Sequence, residues 1–440
     1  MAAIRIPSAG FLSAFLPIVH ATLQPHAAPI ARRLPLLQQL RTSLIPAAFL
    51  PIPSLLEQIW DGLLKAVPKK KTSHMKKRHR QMAGKALKDV TALNKCSACG
   101  RVKRAHVLCP YCSKQYLQTH TVADAHPTDI FCLAVTPSQL ISASGSSSIR
   151  IHNTKGQIIH ADIPDDERPY PLAQTLDKVH PLGCHHICAS LDGMTAASAG
   201  FRGELKVWSH GADGQWILKG EIKADRKNAG EQWALALSTE GQYLACTTYD
   251  GRINVYDTTT ISDGRAEKIA QYETKGSFGL AVDLSSDGEM TASGHQNGSV
   301  YIFNNSTKRL AHSLSGLIKP VRAVKFSPGC KYLAAAGDAR IIALYDARNG
   351  EQVANLSGHQ SWIMSLDWNW SGEFLLSGSY DGKAKIWSVE RRECVATQTE
   401  SDKCLWSVKW LPKAAQARNE TFVTAGAGRL LAFYREASGT

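Results

Sequence analysis

Between residues 113 and 440 the apolar positions come in short runs, and each run stops at a turn rich in Gly, Asp, Asn or Ser. Such runs predict strands, because an amphipathic helix would repeat its apolar residues every third or fourth place over a longer span. The pattern is fullest from Gly358 to Ser388, where Phe374-Leu-Leu-Ser-Gly-Ser and Lys383-Ala-Lys-Ile-Trp-Ser flank the turn Tyr380-Asp381-Gly382. Sliding the Trp387 position along the chain finds His152, Trp208, Tyr256, Phe303, Tyr345 and Tyr434. Successive gaps among the seven positions are 56, 48, 47, 42, 42 and 47 residues. A sheet of a few short strands cannot bury both of its faces alone, so seven copies at this period predict a closed array of small sheets. The widest gap, between the first two copies, holds an insertion rich in Pro and Asp.

Gly358-His359 at one end of the fullest copy and Trp387-Ser388 at the other resemble the WD repeat. The resemblance implies an all-β fold, a seven-bladed WD-repeat β-propeller. Its physical basis is a buried relay in which His359, a strand hydroxyl (Ser377 or Ser379), Asp381 and the Trp387 indole satisfy one another. Turn residues equivalent to Asp381 include Asp250 and Asn297, whereas Ser146 and Arg202 depart from the pattern, so only the sixth copy is expected to carry the whole tetrad. Ser, His and Asp together also invite a hydrolase reading. Their recurrence at blade-fastening positions, with an aromatic as fourth member, favours the structural role. The chain is read as non-enzymatic, with no catalytic residue assigned.

Charge divides the chain. Residues 1–112 hold 18 Lys or Arg against three acids, a net of +15, while residues 113–440 hold 33 against 34. The 11 cysteines divide too, with four between Cys96 and Cys112 and seven scattered over the repeats. The scattered ones read as small buried hydrophobes in a reducing compartment. No apolar run is long enough to span a bilayer, so no membrane partner is expected.

Residues 1–53 contain no acid but carry Arg5, Arg32, Arg33 and Arg41 among Ala, Leu, Ser and Pro, the composition of a mitochondrial transit peptide. A secretory signal is the rival, with Phe11 to Val19 as its apolar core, although Pro17 interrupts that run. Residues 54–95 form a second segment, in which Leu55, Leu56, Ile59, Trp60, Leu63 and Leu64 fall at helical spacing. These residues suit either a short amphipathic helix that docks on a partner or a plain presequence tail. A basic arm follows, with Lys69, Lys70, Lys71, Lys76, Lys77, Arg78, Arg80 and Lys85 and no acid before Asp89. A run this dense self-repels, will not fold alone, and releases counterions when laid on phosphates, which favours RNA as its partner.

Residues 96–112 hold two Cys-x-x-Cys knuckles, Cys96 with Cys99 and Cys109 with Cys112, nine residues apart. Four thiolates at this spacing can close a tetrahedron around a structural Zn2+, replacing a core that so short a segment cannot build. A closed set of four leaves no open position for catalysis. The knuckles, Val67-Pro-Lys-Lys-Lys-Thr-Ser, Met75-Lys-Lys-Arg-His-Arg and the Arg-rich leader together resemble the mitochondrial form of the bacterial-type large-subunit ribosomal protein thirty-two. That resemblance implies an extended arm threaded into ribosomal RNA, with Lys69 to Arg80 on phosphates, and a zinc ribbon at the particle surface.

Residues 113–440 follow without a linker, and Ser113-Lys-Gln-Tyr-Leu-Gln-Thr-His-Thr-Val is expected to pair beside Leu430 to Tyr434 and close the ring. This half resembles the superkiller-complex WD-repeat subunit of fungi, which also serves in meiotic recombination. The resemblance is carried by Ser113-Lys-Gln-Tyr, Asp124-Ala-His-Pro-Thr-Asp-Ile-Phe, Gly276-Ser-Phe-Gly-Leu, Ser293-Gly-His-Gln-Asn-Gly-Ser-Val-Tyr, Leu317-Ile-Lys-Pro-Val-Arg-Ala-Val, Arg391-Arg-Glu-Cys-Val-Ala, Leu405-Trp-Ser-Val-Lys-Trp-Leu and Phe433-Tyr-Arg-Glu-Ala. It implies a non-catalytic scaffold that binds a helical-repeat subunit and an RNA helicase. These feed messenger RNA to the cytoplasmic exosome for 3'-to-5' decay; in the meiotic role the partner is a recombination initiator.

Family members grip a Gln-Arg-x-x-hydrophobic motif on the propeller's top face. Alignment to Trp362 and Met364 brings Asp129, Phe131, Glu231, Trp233, Phe278, Leu280, Arg322 and Trp406 to that face, where acids beside aromatics suit an arginine followed by an apolar anchor. Cys184-His-His-Ile-Cys188 imitates a metal cluster, but strand alternation puts Cys184, His186 and Cys188 on one face and His185 on the other.

The two resemblances point to different compartments, the mitochondrion for the first part and the cytoplasm and nucleus for the propeller. Two genes joined in one reading frame, a fusion divided into two products, and a ribosomal protein that gained a docking platform are all compatible with the sequence. The lack of a Met directly before Ser113 leans toward the first two.

Overall fold

The computed structural model describes residues 73–82, 92–95, 102–105, 116–154, 170–223, 232–262, 265–413 and 419–437. The chain divides into two compact units, residues 1–88 and 89–440.

In the first unit helix α1 (His74–Met82) carries Lys76, Lys77, Arg78 and Arg80 and no acid. Ser73 caps it: its carbonyl accepts Lys77 N–H at 3.0 Å and its Oγ accepts Lys76 N–H at 3.4 Å. The part of the basic run that is described, expected to be extended, is helical over these nine residues, and the rest of the run lies outside the described residues. The Ser73 hydroxyl satisfies one of the donors that a helix N-terminus leaves open, that of Lys76, and Lys76, Lys77 and Arg78 project outward, exposed to solvent.

In the second unit β1 (Leu93–Lys95) and β2 (Val102–Arg104) form an antiparallel hairpin in which Leu93 faces Arg104 and Lys95 faces Val102. Among the described residues, every strand beyond it belongs to one of seven four-stranded antiparallel sheets. Each is a blade whose strands are lettered a to d from the centre outward. The seven a strands contact one another in a closed ring, the last touching the first. The ring is closed by β3 (Tyr116–Val122), which pairs antiparallel with strand c of blade 7 (Leu431–Glu436), Tyr116 facing Glu436 and Val122 facing Leu431.

The residues explain this geometry. The b strands, such as Thr195–Gly200, Tyr332–Gly337 and Phe374–Ser379, are built largely from Ala, Ser, Gly and Leu and are buried almost end to end. Both faces of a blade are covered by neighbours, so small side chains are needed on both: a Cβ at Gly378 would press on Val408 Cγ1 at 2.6 Å. Seven apolar clusters result, one at each joint between adjacent blades. At about 25 cal/mol per Å2 of apolar surface removed from water, these joints dominate the stability of the ring.

Candidate partner-binding face

The a strands run Ile130–Val135, Cys184–Ala189, Gln232–Leu237, Gly279–Leu284, Val321–Phe326, Ile363–Trp368 and Leu405–Trp410. They surround a channel of about 1210 Å3. In every one of them the register with strand b shifts just after the first residue. A bulge of this kind re-aims a side chain and bends the strand. Here it affects the second residue of each strand: Phe131, His185, Trp233, Leu280, Arg322, Met364 and Trp406, all lining one end of the channel.

Rings from the neighbouring turns extend this collar. Trp362 lies 5.7 Å from Tyr380, Tyr380 6.2 Å from Trp406, and Trp406 5.5 Å from Phe131. Phe131 then meets Phe201 at 5.6 Å, Phe201 meets His185 at 5.0 Å, and His185 meets Trp233 at 4.1 Å. Phe278 and Tyr249 continue the arc at 5.3 and 5.0 Å. Edge and tilted contacts at these separations are favourable between aromatic quadrupoles, so the arc is stiff before any ligand arrives. Trp362 at 42 %, Tyr380 at 48 % and Tyr249 at 67 % exposure remain open to solvent.

Charge is placed unevenly around the arc. Asp129 Oδ2 accepts the Trp406 indole N–H at 3.3 Å, and a carboxylate has acceptor capacity beyond that one bond. On the opposite side the Arg322 guanidinium forms a two-pronged pair with Asp338, Nη2 to Oδ2 at 3.1 Å and Nε to Oδ1, while its Cζ lies 4.9 Å from the Trp362 ring centre. Burial holds His185 down to about 4, so its ring is neutral and acts as one more flat surface.

Of the residues expected here, Asp129, Phe131, Trp233, Phe278, Trp362, Met364 and Trp406 are thus placed. Glu231 lies outside the described residues, as do Lys69, Lys70, Lys71, Lys85, Cys96, Cys99, Cys109 and Cys112, the side chain of Arg80, and residues 1–53. Phe201, Tyr249, Tyr380 and Asp338 went unrecognised in the sequence. All four occupy the repeat position just before the turn residue equivalent to Asp381, and reading that column across the copies would have found them.

The tetrad lies at the edge of this face. Trp387 Nε1–H donates to Ser377 Oγ at 2.8 Å, Ser377 lies 2.8 Å from His359 Nε2, and His359 Nδ1 lies 3.1 Å from Asp381 Oδ2. A carboxylate only accepts, so Nδ1 carries the proton and Nε2 receives the Ser377 hydroxyl. Burial lowers His359 and keeps the ring neutral; burial alone would raise Asp381, but its hydrogen bonds hold it down to about 2. Ser377 is fully buried, so no substrate reaches its hydroxyl.

The expectation that only the sixth copy carries a tetrad is corrected. In blade 2 Trp208 Nε1–H donates to Ser198 Oγ at 3.0 Å, His180 Nε2 lies 2.9 Å from that oxygen, and His180 Nδ1 lies 3.1 Å from Glu204 Oε1. The carboxylate comes from two places past Arg202, and the longer Glu side chain reaches back to the histidine. The reading of Cys184, His186 and Cys188 on one face is corrected too, because the bulge after Cys184 breaks the alternation. Cys184 belongs to the core between blades 1 and 2, while Cys188 packs against that between blades 2 and 3. Burial pushes the Cys188 thiol up to about 12, far from the thiolate a metal needs.

These features define a WD-repeat propeller, and residues 225–257, 308–346 and 350–388 match the WD domain, G-beta repeat family. The chain is 38% identical to the meiotic recombination protein Rec14 of Schizosaccharomyces pombe over 325 residues, 74% of this chain and 99% of that one. It is 26% identical to the antiviral protein SKI8 of Saccharomyces cerevisiae over 336 residues, 65% of this chain and 82% of that one. The chain therefore belongs, through its propeller, to the WD-repeat family of Rec14 and SKI8. Residues 66–124 match the Ribosomal L32p protein family. A 70-residue stretch is 73% identical to the large ribosomal subunit protein bL32m of Neurospora crassa, covering 16% of this chain and about half of that protein, 51%. One chain thus joins a Rec14/SKI8-type propeller to a bL32m-type segment.

Proposed function

We propose that the propeller is a non-catalytic scaffold that holds a partner segment on its aromatic rim. The carrying observation is the stiff arc of half-buried rings with Asp129 beside Trp406 and Phe131. An arginine of the partner pairs with Asp129 and stacks on the neighbouring rings, and an apolar residue three places on lies against Trp233 and Phe278. Arg322, already paired with Asp338, disfavours a second cation on its own side and so fixes the direction of the segment. In the resemblance to the superkiller WD subunit, such segments belong to a helical-repeat subunit and an RNA helicase that support 3'-to-5' messenger RNA decay, or to a meiotic recombination initiator. The propeller would then work in cytoplasm and nucleus. Asp129→Ala with Trp233→Ala should abolish capture of a Gln-Arg-x-x-Leu peptide in fluorescence anisotropy while moving the melting temperature little; unchanged affinity would reject this face.

The bL32m-type segment supports a second reading, a structural constituent of the large ribosomal subunit with the propeller as a fused platform. Helix α1 presents Lys76, Lys77 and Arg78 to solvent, fit for phosphates, and the 70-residue likeness to bL32m favours ribosomal RNA as the partner. Cys96 and Cys99 fall in sequence between the paired strands β1 and β2, and their Cys-x-x-Cys spacing with that of Cys109 and Cys112 suits one ion. Zinc held with Cys109 and Cys112 would supply rigidity there, and residues 1–53 would direct this part to mitochondria. Sedimentation of extract separates the readings: the chain travels with the large ribosomal subunit in one and with a helicase in the other.

A further inference from the structure

The far end of the channel is lined by the loops that join strands a and b. The residue two places after each a strand stands at the same point of its loop, and in five consecutive blades it is apolar: Pro328, Trp370, Pro412, Pro137 and Leu191 of blades 5, 6, 7, 1 and 2. In blades 3 and 4 it is Thr239 and Ser286. Trp370 is 74 % and Leu191 73 % exposed, among the most exposed large apolar residues described. Such residues cost solvation free energy when left open, and five at one repeat position around a channel mouth form a surface rather than scattered exceptions.

Charge on this end is also sorted. The a–b loops of blades 2, 3 and 4 carry exposed Asp192, Glu240, Asp287 and Glu289 and no base. Those of blades 5 and 6 and the described part of blade 7's carry exposed Lys331, Glu373 and Lys413, with Glu420 of blade 7 buried. An apolar arc therefore adjoins an acidic one. We infer that this end of the propeller is a second docking surface, and that its occupant is a protein segment in which a short apolar stretch is followed by a run of Lys or Arg. The apolar residues lie along Trp370, Pro412, Pro137 and Leu191, and the cations lie over blades 3 and 4. The rim at the other end, with Asp129 and Arg322, selects a lone arginine; this end selects a basic run, so one propeller joins two different segments.

The probe is a fluorescein-labelled 12-residue peptide with Leu, Phe and Leu in its first half and four Lys in its second, measured by anisotropy against the full chain. Trp370→Ser with Leu191→Ser should weaken it at least tenfold, and Glu240→Lys with Glu289→Lys at least fivefold. Asp129→Ala with Trp233→Ala should leave it unchanged, so failure of this surface and of the rim are distinguishable. Equal binding of a peptide of the same composition with Leu, Phe and Lys interspersed, or unchanged affinity in the Trp370→Ser, Leu191→Ser protein, overturns the inference. So does absence of binding. Dimerisation in sedimentation that disappears with Trp370→Ser would assign the surface to a second copy of the chain and overturn it as well.

Discussion

At the scale of single residues, Ser377 with His359 in blade 6 and Thr424 with Glu400 in blade 7 show how one pair of places in the repeat is satisfied in different ways. Ser377 Oγ serves the Trp387 indole and the His359 ring together, so Ser377→Ala leaves two buried polar groups without their partner. A loss of about 2–3 kcal/mol is expected in urea unfolding. Ser379, whose Oγ accepts Asp381 N–H at 3.2 Å, serves one group, and Ser379→Ala should cost about 1 kcal/mol. Either serine fits the repeat by alternation; only the bonds to Trp387 and His359 distinguish them. In blade 7 the loop that supplies His359 in blade 6 supplies Glu400 instead, hydrogen-bonded to Thr424. Burial raises its carboxyl to about 7. The folded chain thus holds this proton more tightly than the unfolded chain, whose Glu titrates near about 4.3. Its contribution is intact below that value and is lost as pH rises through about 7. Glu400→Gln, which cannot ionise, should therefore be more stable than wild type at about pH 8, by up to about 3 kcal/mol, and equally stable at about pH 4. A constant difference across that range in calorimetry would show that Glu400 is not the titrating group.

At the scale of elements, the blades are tied by charges inside the channel. Asp283 of blade 4 accepts Lys325 Nζ at 2.5 Å and Phe326 N–H at 2.8 Å from blade 5. Asp367 of blade 6 accepts Lys409 Nζ at 3.0 Å and Trp410 N–H at 2.8 Å from blade 7. Asp367→Ala leaves a largely enclosed ammonium and a backbone donor unpaired, for an expected loss of about 3 kcal/mol. Asp367→Ala with Lys409→Met should recover most of it, since the stranded charge is gone; a double variant no more stable than the single one would locate the loss in the Trp410 bond. The seven blades and the closing strand were legible because strand period and turn residues are local signals. The bulges were not. A bulge is set by how strand a meets the curvature of the ring, which no single strand encodes, and it is the bulge that turns His185 to the rim and separates Cys184 from Cys188. Glu204 was missed for a related reason: one carboxylate two places late looks like surface until the turn folds it back on His180. Helix α1 was hidden by its charge, which masked the Ser73 cap.

At the scale of the whole chain, the separation of charge divides the work. The first 112 residues carry +15 and the remainder −1, so attraction to polyanions belongs almost entirely to the first part. Lys69, Lys70, Lys71, Lys76, Lys77, Arg78, Arg80 and Lys85 are eight cations within seventeen positions. If half to all of them meet phosphates of structured RNA, each displaces condensed counterions, and log K should fall with log salt at a slope between about −4 and −7. Contacts of this type position a chain without reading bases, so unrelated RNA helices should bind with similar slopes. Removing residues 69–85 should make the slope shallower by about 4 to 7 without changing the melting of the propeller, because the described part of this run, helix α1, lies in a separate compact unit from the ring. Filter binding over a salt series, with the Asp129→Ala, Trp233→Ala protein as control, measures this directly. A slope left unchanged by the deletion would place the RNA contact outside residues 69–85, and the assignment of RNA to this run of cations would then be wrong.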